Sequence, residues 1–530
     1  MPNKLFTALL ISFSIGFLSL SQEILWLRIV SYKLKGLPQS FSFVLAFFLI
    51  GLSLGAHVGQ KFCIQKKYNI FKLTALVIYL AGLFDLILPS ILGKFIINLN
   101  EDHDLKIKFE LINIIYLSIF ITASSFLKGI IFPIVHHIAL EINSKKISEK
   151  VSLIYFMNIM GSTAGPIVTG FYLLNFISTE AIFLFIGLSE LILGTIILSL
   201  FINLKFIFFI PFFIYFFINI NFKKNNLIKY LSDLPKGHEI VNLIENRQGI
   251  IFTSRLEKKT HENLFIFGGN VIDGSNNFDL FLDNNLISRV YLLTALHENP
   301  ERILVIGLGG GSWVKVMSKV SSAKSIDVVE INPGYINLIK NDKNMVSILN
   351  DNRINIHIDD ARKWLKKNSS KKYDLIVMNS TYHWRSNTSN LLSEEFISII
   401  KKNLNIKGIF AYNATGAIDS FYTTSENFNF SYRYSSLIYA SDYDFNLNAS
   451  DVIERIKKLK QNYANNKLSD NENQAIESTF KNFNFIKFEQ DLKLIRRKPE
   501  IITDKNMLTE YKFGMINVLL SRYYYKYLNY

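Results

Sequence analysis

The apolar residues of this chain are spread unevenly, and that constrains its folding more than any other feature. Residues 1–222 carry long apolar runs with few charges, whereas residues 223–530 read as an ordinary soluble protein. A helix needs about 20 consecutive apolar residues to cross the hydrocarbon layer of a bilayer. Seven stretches approach or exceed that length: 5–30, 41–60, 71–93, 111–134, 151–174, 181–202 and 205–221. The last is short and fits an interfacial segment as well as a span. The first runs into Ser21-Gln22-Glu23-Ile24-Leu25-Trp26 with no small-residue cleavage site, so it reads as an uncleaved span.

Composition supports a chain divided between two solvents. Charged residues make up only 19%, against about 25% in a typical soluble domain. The single cysteine, Cys63, excludes an intrachain disulfide framework and a thiolate zinc cluster. The net charge of +15 accompanies an abundance of Lys, Asn, Ile, Phe and Tyr that base-composition bias would produce. It therefore hints only at attraction to a membrane surface, and no nucleic-acid partner is expected. Lysines and arginines divide almost equally between the two sides of a seven-span arrangement, so loop charge does not orient it.

Glu23, Asp85, Lys128 and Glu190 fall inside the spans, and Arg28 near the end of the first. A charge at mid-bilayer costs about 2.5–3.5 kcal/mol on insertion scales, so such groups face a partner or a water-filled cavity. They read either as a polar pocket for a headgroup or ion, or as charge pairs inside a bundle with Arg28 reaching the interface. Gly51, Gly55 and Gly59 form a small-residue stripe, as do Gly161 and Gly165 with Pro166 and Gly170 beyond, and close helix packing explains them. His136-His137, without cysteines or nearby acids, make a poor metal site, and no metal is expected.

The second half alternates strands and helices. Residues 223–290 read as a linker followed by short strands and turns, with Asp273-Gly274 as a turn signal. A helix is expected over 286–297. Arg302–Ile306 is a buried-strand run, followed at once by Gly307-Leu308-Gly309-Gly310-Gly311 and a helix start at Ser312. A second strand, Ser325–Val329, ends in Glu330, 23 residues after Gly307. Glycines permit a tight turn and close backbone approach to a ligand, and the acid accepts both ribose hydroxyls. Further strands are expected over 353–358, ending in Asp359-Asp360-Ala361, over 373–378, ending at Asn379, and over 408–412. A helix is expected over 392–403. Strands separated by helices give a doubly wound, mainly parallel sheet, Rossmann-like, with its ligands at the strand C-terminal ends. The fold class is thus an α-helical transmembrane bundle of about seven spans followed by an α/β nucleotide-binding core over 291–420. Residues 421–530 form a C-terminal cap and tail, helical over 451–480, with Tyr523–Tyr527 suited to a membrane surface.

A nicotinamide cofactor and S-adenosylmethionine both fit the first half of this pattern. Asp360 at the third strand end, with Ala361 beside it, suits adenosine: ribose on Glu330, adenine amino group on Asp360. Residues from about 240 to 515 resemble the spermidine synthase group of class I S-adenosylmethionine-dependent transferases. The stretches that carry the resemblance are Ile272-Asp273-Gly274, Val305 to Gly311, Val328 to Pro333, Asp360-Ala361 and Tyr373 to Val377. With a membrane bundle in front, the chain resembles the bacterial membrane-bound spermidine synthase-like proteins. Thr381 to Arg385, Asn390 to Ser393, Ile502-Thr503-Asp504 and Glu510-Tyr511 are similar to that branch.

The resemblance implies an S-adenosylmethionine or decarboxylated S-adenosylmethionine site built by Gly307, Gly309, Gly310, Gly311, Glu330, Asp360 and Ala361. It departs where the family's chemistry sits. The family's glycine loop carries an Asp that holds the aminopropyl ammonium, and this chain has Gly310 there. The family's fourth strand ends in two acids, one taking the amine proton and one binding the diamine. Here those positions are Asn379 and Tyr382. An amide is no base. The candidate catalytic positions are therefore His383, titratable near neutral pH, and Asn379 as a polar contact. Candidate substrate contacts are Arg385 for an anionic group, Tyr382 and Trp384 for stacking or for a sulfonium, and Asp273 at the pocket lid. Asp374 reads as a strand-edge acid.

Two functions remain open on these residues. One is a membrane-anchored transferase moving an aminopropyl or methyl group from the sulfonium donor. The other is a transporter or sensor whose nucleotide-binding domain does not turn over. The expected partners are a lipid bilayer and a small-molecule acceptor, an amine or a lipid-associated group; a homodimer is compatible with the pattern. Cofactor supply places the soluble half in the cytoplasm of a bacterium, with the bundle in its inner membrane.

Overall fold

The computed structural model describes residues 4–199, 211 and 227–512, apart from 66–68, 97–102, 141–146, 258–263, 284, 380–381, 465–468 and 494–496. The chain forms two compact units: Met1–Lys236 with Glu245–Ile250, and Gly237–Ile244 with Ile251–Tyr530.

The first unit is helical. Its long helices are α1 (Lys4–Lys33), α2 (Gln39–Ile64), α3 (Ile70–Phe95), α4 (His103–Ala139), α5 (Ile147–Ile167) and α6 (Thr179–Ser199). Among the described residues, six segments are long and apolar enough to cross a membrane. They correspond to the first six expected spans. The seventh, 205–221, lies outside the described residues except for Pro211. The cause of each local feature is readable. Asn69 starts α3 by accepting hydrogen bonds from Phe71 N and Lys72 N. Pro166, with no N–H to give, ends regular α-helix one residue later, and a π-helical stretch, Val168–Leu173, follows.

Helix α2 packs on α4, α1 on α5 and α3 on α6. The glycine stripes make these approaches close. A Cβ at Gly51, Gly55 or Gly59 would lie 1.9, 2.1 or 2.3 Å from Ser125 Oγ, Phe126 O or Ile130 O of α4. One at Gly161 would lie 2.1 Å from Phe13 O of α1. Gly170 has no such neighbour, so its place in the stripe is not explained by packing.

The second unit contains a large sheet and all of a small one except the Glu245–Ile250 tip of its first hairpin. The small one has the order β1 (His238–Asn246), β2 (Gly249–Leu256), β3 (Phe265–Gly268), β4 (Val271–Ser275). The large one uses β5 (Arg302–Ile306), β6 (Ser325–Glu330), β7 (Ile354–Ile358), β8 (Tyr373–Met378), β9 (Leu404–Asn413), β10 (Phe430–Tyr434), β11 (Leu437–Ser441) and β12 (Ile486–Lys487). Its order is β12-β10-β11-β9-β8-β5-β6-β7. Strands β7, β6, β5, β8 and β9 are parallel, and β11 joins β9 antiparallel. An all-parallel dinucleotide sheet would place a parallel sixth strand there. The inserted antiparallel strand makes this the methyltransferase-type variant of the Rossmann-like sheet.

Both faces of the large sheet are covered, which explains the unbroken apolar runs of its central strands. Ile303, Val305, Ile326, Val328, Leu375 and Val377 face one core. Leu304, Ile306, Val329, Ile376, Met378 and Phe410 face the other. The chain order reverses between β5 and β8, and the C-terminal ends of β5, β6 and β8 open there. The helical stretch expected over 451–480 is two helices, Ala449–Ala464 and Asp470–Phe480, the second started by a Ser469–Glu472 capping box. Tyr523–Tyr527 lie outside the described residues.

Candidate functional site

The glycine loop leaves β5 with Gly307, Gly309 and Gly311 at φ of 89°, 49° and 84°. Only glycine takes this left-handed region without strain. Gly307 N donates to Val329 O (2.9 Å) and Leu308 N to Glu330 Oε2 (2.7 Å). Glu330 Oε1 accepts from Asn332 N (2.7 Å). Glu330 thereby ties the loop to the end of β6. A carboxylate offers about four acceptor positions, and with the N–H groups of Leu308, Asn332 and Gly309 on it Glu330 keeps about one for a ligand hydroxyl. Burial pushes the Glu330 carboxyl up, while the N–H groups of Asn332, Leu308 and Gly309 favour its charged form.

Asn379, at the end of β8, covers the loop. Its N–H donates to Ile306 O (2.9 Å), and a Cβ on Gly309 would lie 3.7 Å from its Nδ2. Asp360 caps the helix Ala361–Lys367 by accepting from Lys363 N through Oδ1 (2.8 Å). The preceding residue, Asp359, donates its N–H to Glu330 O (3.2 Å), so the second and third strand ends adjoin. Asp374 accepts from Glu301 N and Arg302 N, at the opposite, N-terminal ends of the strands.

The small sheet adds a wall. Asp273 on β4 accepts from Tyr335 Oη (2.6 Å), and Arg385 Nη1 donates to Gly268 O (3.1 Å). Burial raises the Asp273 carboxyl against the opposing influence of the Arg385 charge and the Tyr335 hydrogen bond. Burial, then the negative charges of Asp273 and Glu330, push the Tyr335 phenol well up. One phenol thus joins Asp273 to the neighbourhood of Glu330. At Gly310 an added Cβ would lie 1.8 Å from Ile266 Cδ1. The space in which a loop carboxylate would project holds an apolar side chain instead.

The segment after β8 gives a mixed result. Tyr382 and Trp384 stack on each other with centroids 5.6 Å apart. They form a packed pair, with Trp384 only 4% exposed, rather than two open platforms. His383 was expected as a base beside the reacting atoms, but it is 3% exposed and its Nδ1 lies 2.8 Å from Thr415 Oγ1. Burial drives its imidazole down to about 4, against the opposing effects of Asp419 and Thr415. Such a buried ring does not titrate near neutral pH. Two fragments that carry the family resemblance resolve into clamps on this segment: Glu510 accepts from Asn387 N and Ser389 N (2.9 Å each), and Asp504 accepts from Arg362 and Ser393 Oγ. Ser380 and Thr381 lie outside the described residues.

Sequence reasoning missed Tyr335, Ile266 and Arg289. Arg289 sits in the apolar helix Ser288–Leu296 with its guanidinium 5.3 Å from the Trp313 ring centroid. Burial lowers it to about 10, opposed by Tyr439, Asp283 and Tyr382. A lone arginine in an otherwise apolar helix was the available signal. Tyr335 and Ile266 had none, because their roles arise from contacts of the small sheet with the Gly334–Lys340 helix and with the glycine loop, both distant in sequence.

The sheet order defines a Rossmann-like, methyltransferase-type domain. Residues 284–443 match the family model of the spermine/spermidine synthase domain. Polyamine aminopropyltransferases are also similar to part of this chain. That of Prochlorococcus marinus is 38% identical over 117 residues, 22% of this chain and 41% of the relative. That of Agathobacter rectalis is 33% identical over 135 residues, 25% and 46%. The second such protein of Bacillus cereus is 25% identical over 229 residues, 38% and 61%. The chain spans about half the length of the curated relatives it matches. Among solved structures, a spermidine synthase in complex with the transition-state analogue AdoDATO is 16% identical with a TM-score of 0.36, covering 46% of this chain and 84% of that one. Over residues 284–443 the chain is spermidine synthase-like.

Proposed function

We propose that this protein is a membrane-anchored transferase that binds decarboxylated S-adenosylmethionine or S-adenosylmethionine and transfers an aminopropyl or methyl group to a small acceptor. The observation that carries the reading is Glu330: a buried carboxylate fixed by Leu308 N and Asn332 N at the end of β6, against the glycine loop. Its remaining acceptor position suits one hydroxyl of a ribose diol, and Asp360 at the adjoining strand end suits the adenine amino group. The six apolar helices would hold the chain in a bacterial inner membrane, with the transferase domain on the cytoplasmic side, where the donor is made.

In this reading an acceptor lone pair attacks the carbon beside the sulfonium. The new bond to that carbon forms as the C–S bond breaks, and the neutral thioether leaves without needing an acid. An amine acceptor then sheds one proton. Asn379 cannot take it, and His383 is sealed against Thr415. We assign that role to Asp273, whose carboxyl burial raises toward a better proton acceptor. The gap left by Gly310, filled by Ile266, favours an acceptor or donor tail less cationic than a diamine pair would require. Transfer of a methyl group, or transfer to a lipid-associated acceptor, therefore stands beside polyamine synthesis.

Calorimetric titration of the purified chain with both donors, followed by mass detection of thioether product with putrescine, spermidine or lipid extract, tests the reading. Donor binding lost in Glu330→Ala supports it. Donor binding without product under every condition would instead favour a sensor or transporter.

A further inference from the structure

Four of the ionisable or polar groups dispersed along the first unit converge on one point. Gln22 of α1, Asp85 of α3, Lys128 of α4 and Glu190 of α6 are all buried, with Lys128 2% and Glu190 0% exposed. Lys128 Nζ contacts Asp85 Oδ2 (3.0 Å) and Glu190 Oε1 (3.1 Å), and also donates to Gln22 Oε1. Gln22 Nε2 donates to Asp85 Oδ1 (2.5 Å), and Ser124 Oγ to Gln22 Oε1 (2.6 Å).

The charges do not balance. Two carboxylates touch one ammonium, so full ionisation leaves one negative charge with no counterion among the described residues. Other charged groups on these helices are engaged elsewhere: Arg28 donates to Thr179 Oγ1, Lys33 pairs with Asp233, Glu180 accepts from Leu227 N, and Glu23 lines a separate pocket with Phe41 and Pro166. Tyr79 bonds Thr195 on α6. Removing an unpaired charge from water costs several kcal/mol even after relaxation, and a buried group avoids this by taking up a proton. The two acids are not equivalent. Asp85 accepts from Gln22 and is paired with Lys128. Glu190 Oε2 has no hydrogen-bond partner among the described residues.

We propose that the Asp85–Lys128–Glu190 cluster is a proton-binding site inside the bundle, with one proton held on Glu190. Its occupation converts the Glu190 carboxylate to the acid and leaves Asp85 and Lys128 as a neutral ion pair. Because every member is buried, release of that proton to water requires the four helices to part. The site therefore couples protonation to the packing of the bundle. The inference rests on burial and geometry within the first unit and is independent of the transferase reading.

Infrared spectroscopy of the full chain in lipid nanodiscs, with the glutamate side chains carbon-13 labelled, tests it. The expected result is a protonated-carboxyl band at neutral pH that shifts with the label, disappears on alkalinisation and is absent in Glu190→Gln. Glu23→Gln should leave the band in place, which keeps the test valid if Glu190→Gln does not fold. A neutral-pH spectrum with no labelled protonated-carboxyl band overturns the proposal. So does a band that survives Glu190→Gln, or one that Glu23→Gln abolishes.

Discussion

The two units bury acids in different ways. In the bundle, Asp85 and Glu190 are held by a side-chain ammonium on another helix. In the sheet domain, Glu330 is held by backbone N–H groups of its own strand end and of the glycine loop. The first arrangement depends on one residue, Lys128, and on the packing of four helices. The second depends on a turn that the local sequence dictates. The contrast explains why one acid could be assigned to a ligand from the sequence while the others could be noted only as ionisable groups in apolar runs.

The sharpest way to break the comparison is to remove the bundle's cation. Lys128→Met should destabilise the chain by about 3–5 kcal/mol, because it leaves the Asp85 carboxylate buried without its cation. Thermal unfolding in nanodiscs reads this directly, and a loss of under about 1 kcal/mol would mean that water reaches the cluster. Next in size is the buried imidazole of the sheet domain. His383 sits at about 4 when folded against an ordinary 6.5, so the unfolded chain takes up a proton that the folded chain refuses. Stability should therefore fall as the pH drops from 6.5 toward 4, by a total of roughly 2–3 kcal/mol. His383→Gln should flatten that slope and leave the neutral-pH dependence of turnover unchanged. A neutral-pH limb of the turnover profile that vanishes with His383→Gln would restore the histidine as a base.

Smaller effects sharpen the picture. Gly55→Ala drives a methyl group to 2.1 Å from Phe126 O and should cost about 1–3 kcal/mol by separating α2 from α4. Gly170→Ala, with no neighbour to meet, should cost little. Tyr335→Phe removes the hydrogen bond to Asp273, a loss of about 1 kcal/mol. It should lower turnover more than donor affinity if Asp273 receives the acceptor's proton; an equal loss in both would make Tyr335 a packing residue only.

Much of this was legible in the residues. The six long apolar helices, the β5–glycine loop–β6 unit and the central parallel strands follow from run length, periodicity and turn chemistry, all local properties. What was not legible depends on contacts distant in sequence. His383 looks like a base because it follows a strand end, yet the β9 strand end and the segment beyond it bury it against Thr415. Tyr382 and Trp384 look like open aromatic platforms, yet they stack on each other. Gly310 looks like a simple loss of a carboxylate, whereas the tip of Ile266, from a different sheet, fills the space. The junction of Asp85, Lys128 and Glu190 is likewise invisible without the helix packing that creates it.

The most direct test of the account is calorimetric titration of the intact chain with decarboxylated S-adenosylmethionine and with S-adenosylmethionine. The account predicts saturable one-site binding of at least one of them, weakened by about 10–100-fold or more in Glu330→Ala, as expected for losing hydrogen bonds to a charged acceptor. No heat from either donor, or an affinity that Glu330→Ala leaves unchanged, would contradict it.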